Sequence, residues 1–271
     1  VHLQATAQFN VSYGKNQDTY DVRGRVTQEC IFNLNDGAFR CRSAQQGYSP
    51  YTTWTRGLAW AVCGFAEQLE FLDTIPASDF PATETQGQNE PDFRSKRQVI
   101  KKLVDCATAA ADFYLAHSCT DGIPMWDTGA PDLHRLGDYL SEPADPFNPW
   151  EPVDSSAAAI TAQGLIRLGN YFSTKADKKS AARYRQAGLT IAKTLLNEPY
   201  LSIEPKHQGL LLHSVYHRPN GWDYVAPGQK VPNGESSMWG DYHLRELALL
   251  LLRETRNESY LKFFADSKPS V

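Results

Sequence analysis

Two amphipathic stretches, Ala157–Phe172 and Lys178–Leu196, are separated by only five residues, and that spacing constrains the fold more than any other feature. Each is long enough for several helical turns, and so short a link forces the two helices to run antiparallel. Asp154-Ser155-Ser156 stands before the first, where short polar side chains cap a helix N-terminus. The helical hairpin is therefore the unit to look for elsewhere. Trp54–Leu72 carries the 3.6-residue period, and Pro91–His117 follows with a charged start and an alanine-rich second half. Tyr242–Glu254 and Glu258–Ala265 make a last pair, so the reading is six helices in three pairs. Strand signal is confined to a hairpin within Val26–Arg42, turning at Asn35-Asp36-Gly37, and to a short run at Leu210–Tyr216.

Composition narrows the partners. With 271 residues, 41% hydrophobic content and a net charge of −4, the chain reads as an ordinary globular protein. No apolar run approaches the ~18 residues that span a bilayer, so no membrane partner is expected. No charged-then-apolar leader is read at Val1, which leaves the compartment open between cytoplasm and periplasm. Mild acidity without a basic stripe argues against nucleic acid. The cysteines number five, with no C-x-x-C pair, which is neither a zinc site nor a disulfide framework. One bridge stays open, Cys30 to Cys41 across the hairpin. The histidines lack ligand spacing, so neither a metal nor a cofactor is expected.

Between the helices lie long loops, 75–91, 120–153 and 197–238, rich in proline, glycine and aromatics. Loops of this length in a compact domain are usually functional. Four loop-to-helix junctions share one character, polar and aromatic residues set before a small-residue helix. They are Gln46–Trp60, Asp121–Asp127, Asp154–Ile160 and Ser236–Tyr242, with Leu211-Leu212-His213 and Tyr216-His217 ahead of the last. Helix N-termini offer free N–H donors and partial positive charge, so several meeting at one mouth favour an anionic ligand. In the first junction Gln46, Trp54, Arg56 and Trp60 combine two indoles, an amide and a fixed cation, the groups a site for an anionic sugar requires. The competing reading makes the tryptophans core and Arg56 surface. Asp154 and Asp241 are read first as helix-terminal acids and Asp121-Gly122 as a turn, which argues against a self-sufficient two-carboxylate glycosidase.

Taken together these motifs resemble the unsaturated glucuronyl hydrolases of glycoside hydrolase family 88. The resemblance is carried by Gln46-Gly47-Tyr48 with Trp54-x-Arg56-Gly57-x-Ala59-Trp60, by Asp121-Gly-Ile-Pro-x-Trp126-Asp127 and by Asp154-Ser-Ser-Ala-Ala-Ala-Ile160. Leu211-Leu-His213, Tyr216-His217 and Trp239-Gly-Asp241-Tyr242 complete it. It runs from about residue 19 to the C-terminus, with an apparent insertion near 132–150. The resemblance implies an all-α fold, an (α/α)6 toroid of helical hairpins, of which residues 1–271 form one domain supplying about the C-terminal half, plus a small β-hairpin. It implies an unsaturated oligosaccharide left by a polysaccharide lyase as substrate. An aspartic acid would protonate C4 of its enol ether while water adds at C5. Gln46, Trp54, Arg56, Trp60, Ser236, Ser237 and Trp239 would bind substrate, the serines near the uronate carboxylate.

The resemblance also implies gaps. The family's two functional aspartates precede the Gln-Gly-Tyr segment by more than this chain contains, so no catalytic residue is assigned here. Three helix pairs stand where the toroid has six, which calls for a missing N-terminal half or a second chain. Gln28 stands where the family tends to place histidine, and Tyr51 where it often has aspartate. Two alternatives accompany the hydrolase reading: a non-catalytic carbohydrate-binding protein on the same scaffold, and an unsaturated rhamnogalacturonyl hydrolase.

Overall fold

The computed structural model describes residues 2–80, 95–232, 234–260 and 262. A short helix, α1 (His2–Ala5), runs into a π-helical turn, Thr6–Asn10, and then into a two-stranded antiparallel hairpin, β1 (Glu29–Phe32) and β2 (Phe39–Ser43). Long helices follow: α2 (Thr55–Thr74), α3 (Lys96–Ala116), α4 (Ser155–Thr174), α5 (Lys178–Leu195) and α6 (Met238–Thr255). α2, α4 and α6 lie side by side with α4 in the middle; α3 packs behind α2 and α5 behind α4. This inner row backed by an outer row is the layout of successive helical hairpins.

Each boundary has a local cause. Ser95 and Gln98 form a reciprocal capping box at α3. Asp154, Asp177 and Ser237 cap α4, α5 and α6 through their side-chain oxygens. The α4–α5 turn closes on Ala176 at φ +61°.

The middle position of α4 explains its composition. Every residue from Ser155 to Gly169 is buried, as a helix surrounded on all sides must be. A methyl at Gly164 would sit 2.7 Å from the Cys63 Cα of α2. One at Gly188 of α5 would sit 2.7 Å from Ile166 Cγ1 and 2.9 Å from the Ala162 carbonyl of α4. Glycine at these two crossings lets backbones approach where any side chain would wedge them apart. Leu58, Val62, Phe65 and Leu69 of α2 join Leu103, Ala107, Ala110 and Tyr114 of α3 and Leu165, Ile166 and Leu168 of α4 in one continuous core.

Four expectations change. α3 starts at Lys96; the expected start at Pro91 falls outside the described residues. Of the expected last helix, Glu258–Tyr260 are not helical, and most of the remainder also falls outside them. Leu210–Tyr216 makes one isolated bridge, Leu201 to Leu211, because Asp241 takes the N–H groups of Leu210 and Leu211. Cys30 and Cys41 are free thiols. Cys41 pairs with Ile31 while Cys30 pairs with Arg42, so the two sulfurs point to opposite faces of the hairpin.

Gly164→Ala is expected to destabilise the chain by about 1–3 kcal/mol through overpacking, despite the ~1 kcal/mol helix preference of alanine over glycine. The denaturation midpoint followed by circular dichroism checks this. An unchanged midpoint would mean that α2 and α4 can spread without loss.

Candidate saccharide site

The site is organised by one buried cation. Arg56, in the first turn of α2, is 2% exposed. Its guanidinium donates to the Val215 carbonyl, to the Tyr216 carbonyl at 2.8 Å and to Ser156 Oγ at 3.4 Å, and pairs with Asp154 at 3.5 Å. It also lies over two indoles, 4.8 Å from the Trp54 ring and 4.7 Å from the Trp239 ring. Burial pulls the guanidinium below its ordinary value, and the carboxylates of Asp154 and Asp223 oppose that. A planar five-donor fork serves such a position where lysine, a single point of charge, would not.

Around Arg56 the junctions converge. Trp54 is buried against Trp126, Ala130 and Val215, and its backbone bridges to Asp127. Trp239 donates its indole N–H to Ser156 Oγ at 3.2 Å. Gly47 packs on the Trp54 Cβ, which brings the Gln46 turn to the same cluster. Gln28 holds that turn: its amide oxygen accepts from the N–H groups of Gln45 and Gln46, both at 2.9 Å, and of Gly47 at 3.3 Å. The Gln28 amide then donates to Gln46 Oε1 at 3.3 Å. Where the resemblance implies histidine, glutamine acts here as a turn brace. Trp60, one turn along α2, is 41% exposed and meets His243 of α6 edge-on at 4.9 Å.

The acids of the mouth are committed. Asp154 Oδ1 accepts from the Ser156 and Ala157 N–H groups, which makes it the α4 cap as expected. Asp127 is fully buried and accepts from Tyr48 N and Gly129 N, both at 2.9 Å. Burial raises its pKa, and those hydrogen bonds counter the rise. Asp241 binds the N–H groups of Leu210 and Leu211. Asp223 binds those of Tyr216 and His217.

Beside the cluster opens a cavity of about 370 Å³, bordered by Tyr216, Trp222, Tyr224, Ser236, Ser237 and Trp239. Ser237 Oγ is occupied by the Gly240 N–H of its own helix, whereas Ser236 Oγ has no hydrogen-bond partner among the described residues. The structure thus assembles Trp54, Arg56, Trp239, Ser236 and Ser237, with Gln46 and Trp60 at the flanks. Arg56 is the exception in kind, since its donors face the protein.

Sequence reasoning missed two groups. Trp222-Asp223-Tyr224, directly after the Asn220-Gly221 turn, is an aromatic–acid–aromatic run whose spacing was the available signal. The other is a polar seam between the inner helices. Arg167 pairs with Glu70 at 2.9 Å and Glu67 at 3.8 Å; Gln163 donates to Glu246 at 3.1 Å; His243 lies 3.3 Å from Glu246; Tyr242 donates to it at 2.8 Å. Their i, i+3 and i, i+4 spacings place them on single helix faces, though only packing shows that the faces meet. Among the described residues no group of three or more His, Cys, Asp or Glu could hold a metal ion, and no helix is long and apolar enough to cross a membrane.

No family model matches the chain. It is similar to the unsaturated glucuronyl hydrolase of Formosa agariphila, 23% identical over 218 residues covering 79% of this chain and 40% of the relative. It is also similar to that of Bacillus sp. strain GL1, 25% identical over 209 residues, 77% of this chain and 41% of the relative. Among solved structures, an unsaturated glucuronyl hydrolase variant with dGlcA-Glc-Rha-Glc superposes at a TM-score of 0.65 and 22% identity, over 97% of this chain and 53% of that one. The chain therefore has the helical layout of that α/α toroid, over about half its length.

Two outcomes follow from the geometry. Arg56→Ala leaves Asp154 and two loop carbonyls without their donor, and is expected to cost about 3–5 kcal/mol in chemical denaturation. Glu246 is held down to about 2 from 4.5: burial would raise it, but hydrogen bonds from His243, Tyr242 and Gln163 prevail. Its folded pKa lies below its unfolded one, so its contribution is complete above about pH 4.5 and lost as pH falls toward 2. Glu246→Gln should flatten that part of the stability–pH curve; an unaltered acid limb would refute the assignment.

Proposed function

We propose that this chain forms the saccharide-binding part of a hydrolase acting on 4,5-unsaturated uronyl oligosaccharides, the products of polysaccharide lyases. The observation that carries the reading is the convergence of four separate segments on one mouth: Trp54–Arg56, Asp154–Ser156, Val215–Tyr216 and Ser237–Trp239. Such a mouth offers indole faces, serine hydroxyls and the N-terminus of an 18-residue helix, α6. The uronate carboxylate would meet Ser236 Oγ and the first N–H groups of α6. Gln46, whose amide nitrogen has no acceptor among the described residues, would reach a ring hydroxyl, and Trp60 would stack on the sugar. Arg56 acts at one remove, by fixing Trp54, Trp239 and the 215–216 backbone.

In this reading the reaction adds water across C4=C5: a proton goes to C4, hydroxide to C5, and the resulting hemiketal opens and expels the following sugar. The proton donor comes from outside residues 1–271. In support, the carboxylates of Asp127, Asp154, Asp223 and Asp241 are each engaged in holding backbone N–H groups of a loop or helix start. An absent neighbour is supported by α6, where Met238, Tyr242, Leu249 and Leu252 are exposed on one face, with Arg245 among them. The complementary part of the ring is the proposed occupant. The same commitment of the acids favours a second reading, a protein that binds such saccharides without turning them over.

Loss of enol-ether ultraviolet absorbance from an unsaturated uronyl disaccharide separates these. No loss is expected with residues 1–271 alone, and loss is expected once the complementary part is supplied. Turnover by the chain alone would place the acid within it; folded protein that binds but never turns over would select the second reading. In the active assembly Trp60→Ala should lower kcat/KM by about 3- to 10-fold, the scale of one lost aromatic contact.

A further inference from the structure

A guanidinium drawn partly out of water needs a counter-charge or a full set of acceptors, and two arginines beside the hairpin have neither. Arg56 and Arg167, buried among the helices, each pair with a carboxylate. Arg25 and Arg42 are half-buried, and neither forms an ion pair among the described residues. A short ladder brings them together. Val11 bridges to Val26, the Ser12 N–H donates to the Arg25 carbonyl at 2.9 Å, and the Thr27 N–H donates to the Asn10 carbonyl at 2.8 Å. That register sets Ser12 opposite Arg25 and Asn10 opposite Thr27, and strand alternation puts these four side chains on one face. Arg42 of β2 reaches the same face, where its Nη2 donates to Ser12 Oγ at 3.5 Å.

The face is rich in donors and short of acceptors. Arg25 Nε, Arg42 Nη1 and Thr27 Oγ1 are buried atoms without a hydrogen-bond partner, and Thr27 is only 2% exposed. Arg25 spends Nη1 on the Tyr20 carbonyl at 3.0 Å, and Asn10 its amide nitrogen on the Thr27 carbonyl at 2.9 Å. Burial pulls the Arg25 guanidinium below its ordinary value and Arg42 pulls it further, while Asp127 and Asp18 oppose. Those two acids are engaged elsewhere: Asp18 accepts from the Tyr20 N–H at 2.7 Å, and Asp127 from Tyr48 and Gly129. Two guanidiniums held side by side repel, and an oxyanion between them turns that repulsion into attraction. Planar forks match the oxygens of such an anion two at a time, and the Thr27 hydroxyl adds a neutral donor. Two unopposed positive charges suit a tetrahedral dianion better than a carboxylate, which brings one charge and two oxygens.

We infer that Arg25, Arg42 and Thr27 form a binding site for a tetrahedral oxyanion, sulfate or phosphate, free or carried as an ester. Thr27 precedes Gln28, the brace of the Gln46 turn, yet the site does not rest on the function proposed above.

The test is calorimetric titration of the 271-residue chain with sodium sulfate, with sodium phosphate and with glucose 6-sulfate, at an ionic strength fixed by chloride. Saturable binding at a single site is expected. Arg25→Gln and Arg42→Gln should each weaken it about 10- to 100-fold, the scale of a lost charge-assisted hydrogen bond. Thr27→Val should weaken it about 3- to 10-fold, as for a neutral one. Arg42→Lys keeps the charge without the fork and should fall between the parent and Arg42→Gln. Arg256→Gln removes an equal charge from an exposed position just past α6 and should leave the affinity unchanged. Far-ultraviolet circular dichroism confirms that each variant is folded. Binding of the sugar ester with the same arginine dependence would support a group carried on a ligand; binding of the inorganic ions alone would support a free ion. No saturable binding of any of the three by folded parent would overturn the inference. So would parental affinity in both Arg25→Gln and Arg42→Gln, or an equal loss in Arg256→Gln.

Discussion

A single guanidinium ties the mouth of this molecule together. Arg56 binds a helix-capping acid, a helix hydroxyl and two loop carbonyls, and lies over two indoles. Those partners come from α2, α4, the 197–238 loop and α6. Taking such a cation out of water is costly, and the surrounding groups return that cost only if all of them are in place. The arrangement is therefore a unit: shifting the Asp154 cap, the 215–216 backbone or the α6 start would strand a buried charge. Its chief effect is on which geometry is allowed, more than on net stability. Trp54 and Trp239 owe their orientation to it, and through Trp239 so does the edge of the cavity.

Behind the mouth, the close approach of the inner helices has a comparable consequence. Gly164 lets α4 sit against α2, and Gly240, at the start of α6, sits 3.3 Å from the Ser156 Cβ by its notional methyl. With backbones this near, side chains on adjoining faces must be short or must satisfy each other. The seam takes the second course. Arg167 answers Glu67 and Glu70, and Gln163 joins His243 to Glu246. Glu67 shows the strain of this solution, its pKa raised by burial in spite of Arg167. His243 also meets the Trp60 ring edge-on, so the seam reaches the one indole of the first junction that faces outward.

What the sequence disclosed follows from what is local. The helices were legible because amphipathic period and capping residues act within a few positions; Asp154 was read as a cap and is one. The hairpin at Glu29–Ser43 was legible from its turn. The surroundings of Arg56 were not legible because they are not local: Ser156 lies 100 residues away and Val215 159. Its place at a helix start showed in the sequence, whereas its burial comes from tertiary packing. The Leu210–Tyr216 run has strand composition, yet Asp241 intercepts its N–H groups before a second strand can. The cysteine pair failed on register, which a turn assignment alone does not fix to one residue.

The tryptophans show why residue type alone could not assign the site. Trp54 and Trp126 are buried and structural; Trp126 spends its indole N–H on Glu151 at 2.8 Å. Trp60 and Trp222 keep a face open. A sugar can stack only on a face that protein does not cover, while a ring free to swing loses the entropy of being fixed when it binds. Useful indoles are thus the exposed ones held at their edges, and both devices occur here: His243 against Trp60, His217 and the Asp223-closed loop against Trp222. The buried indoles set the shape of the mouth and the held, exposed ones offer it surface. That division gives the 216–224 loop, which no motif had singled out as a whole, the same device as the junction at residues 46–60: an indole held at its edge with a face left open.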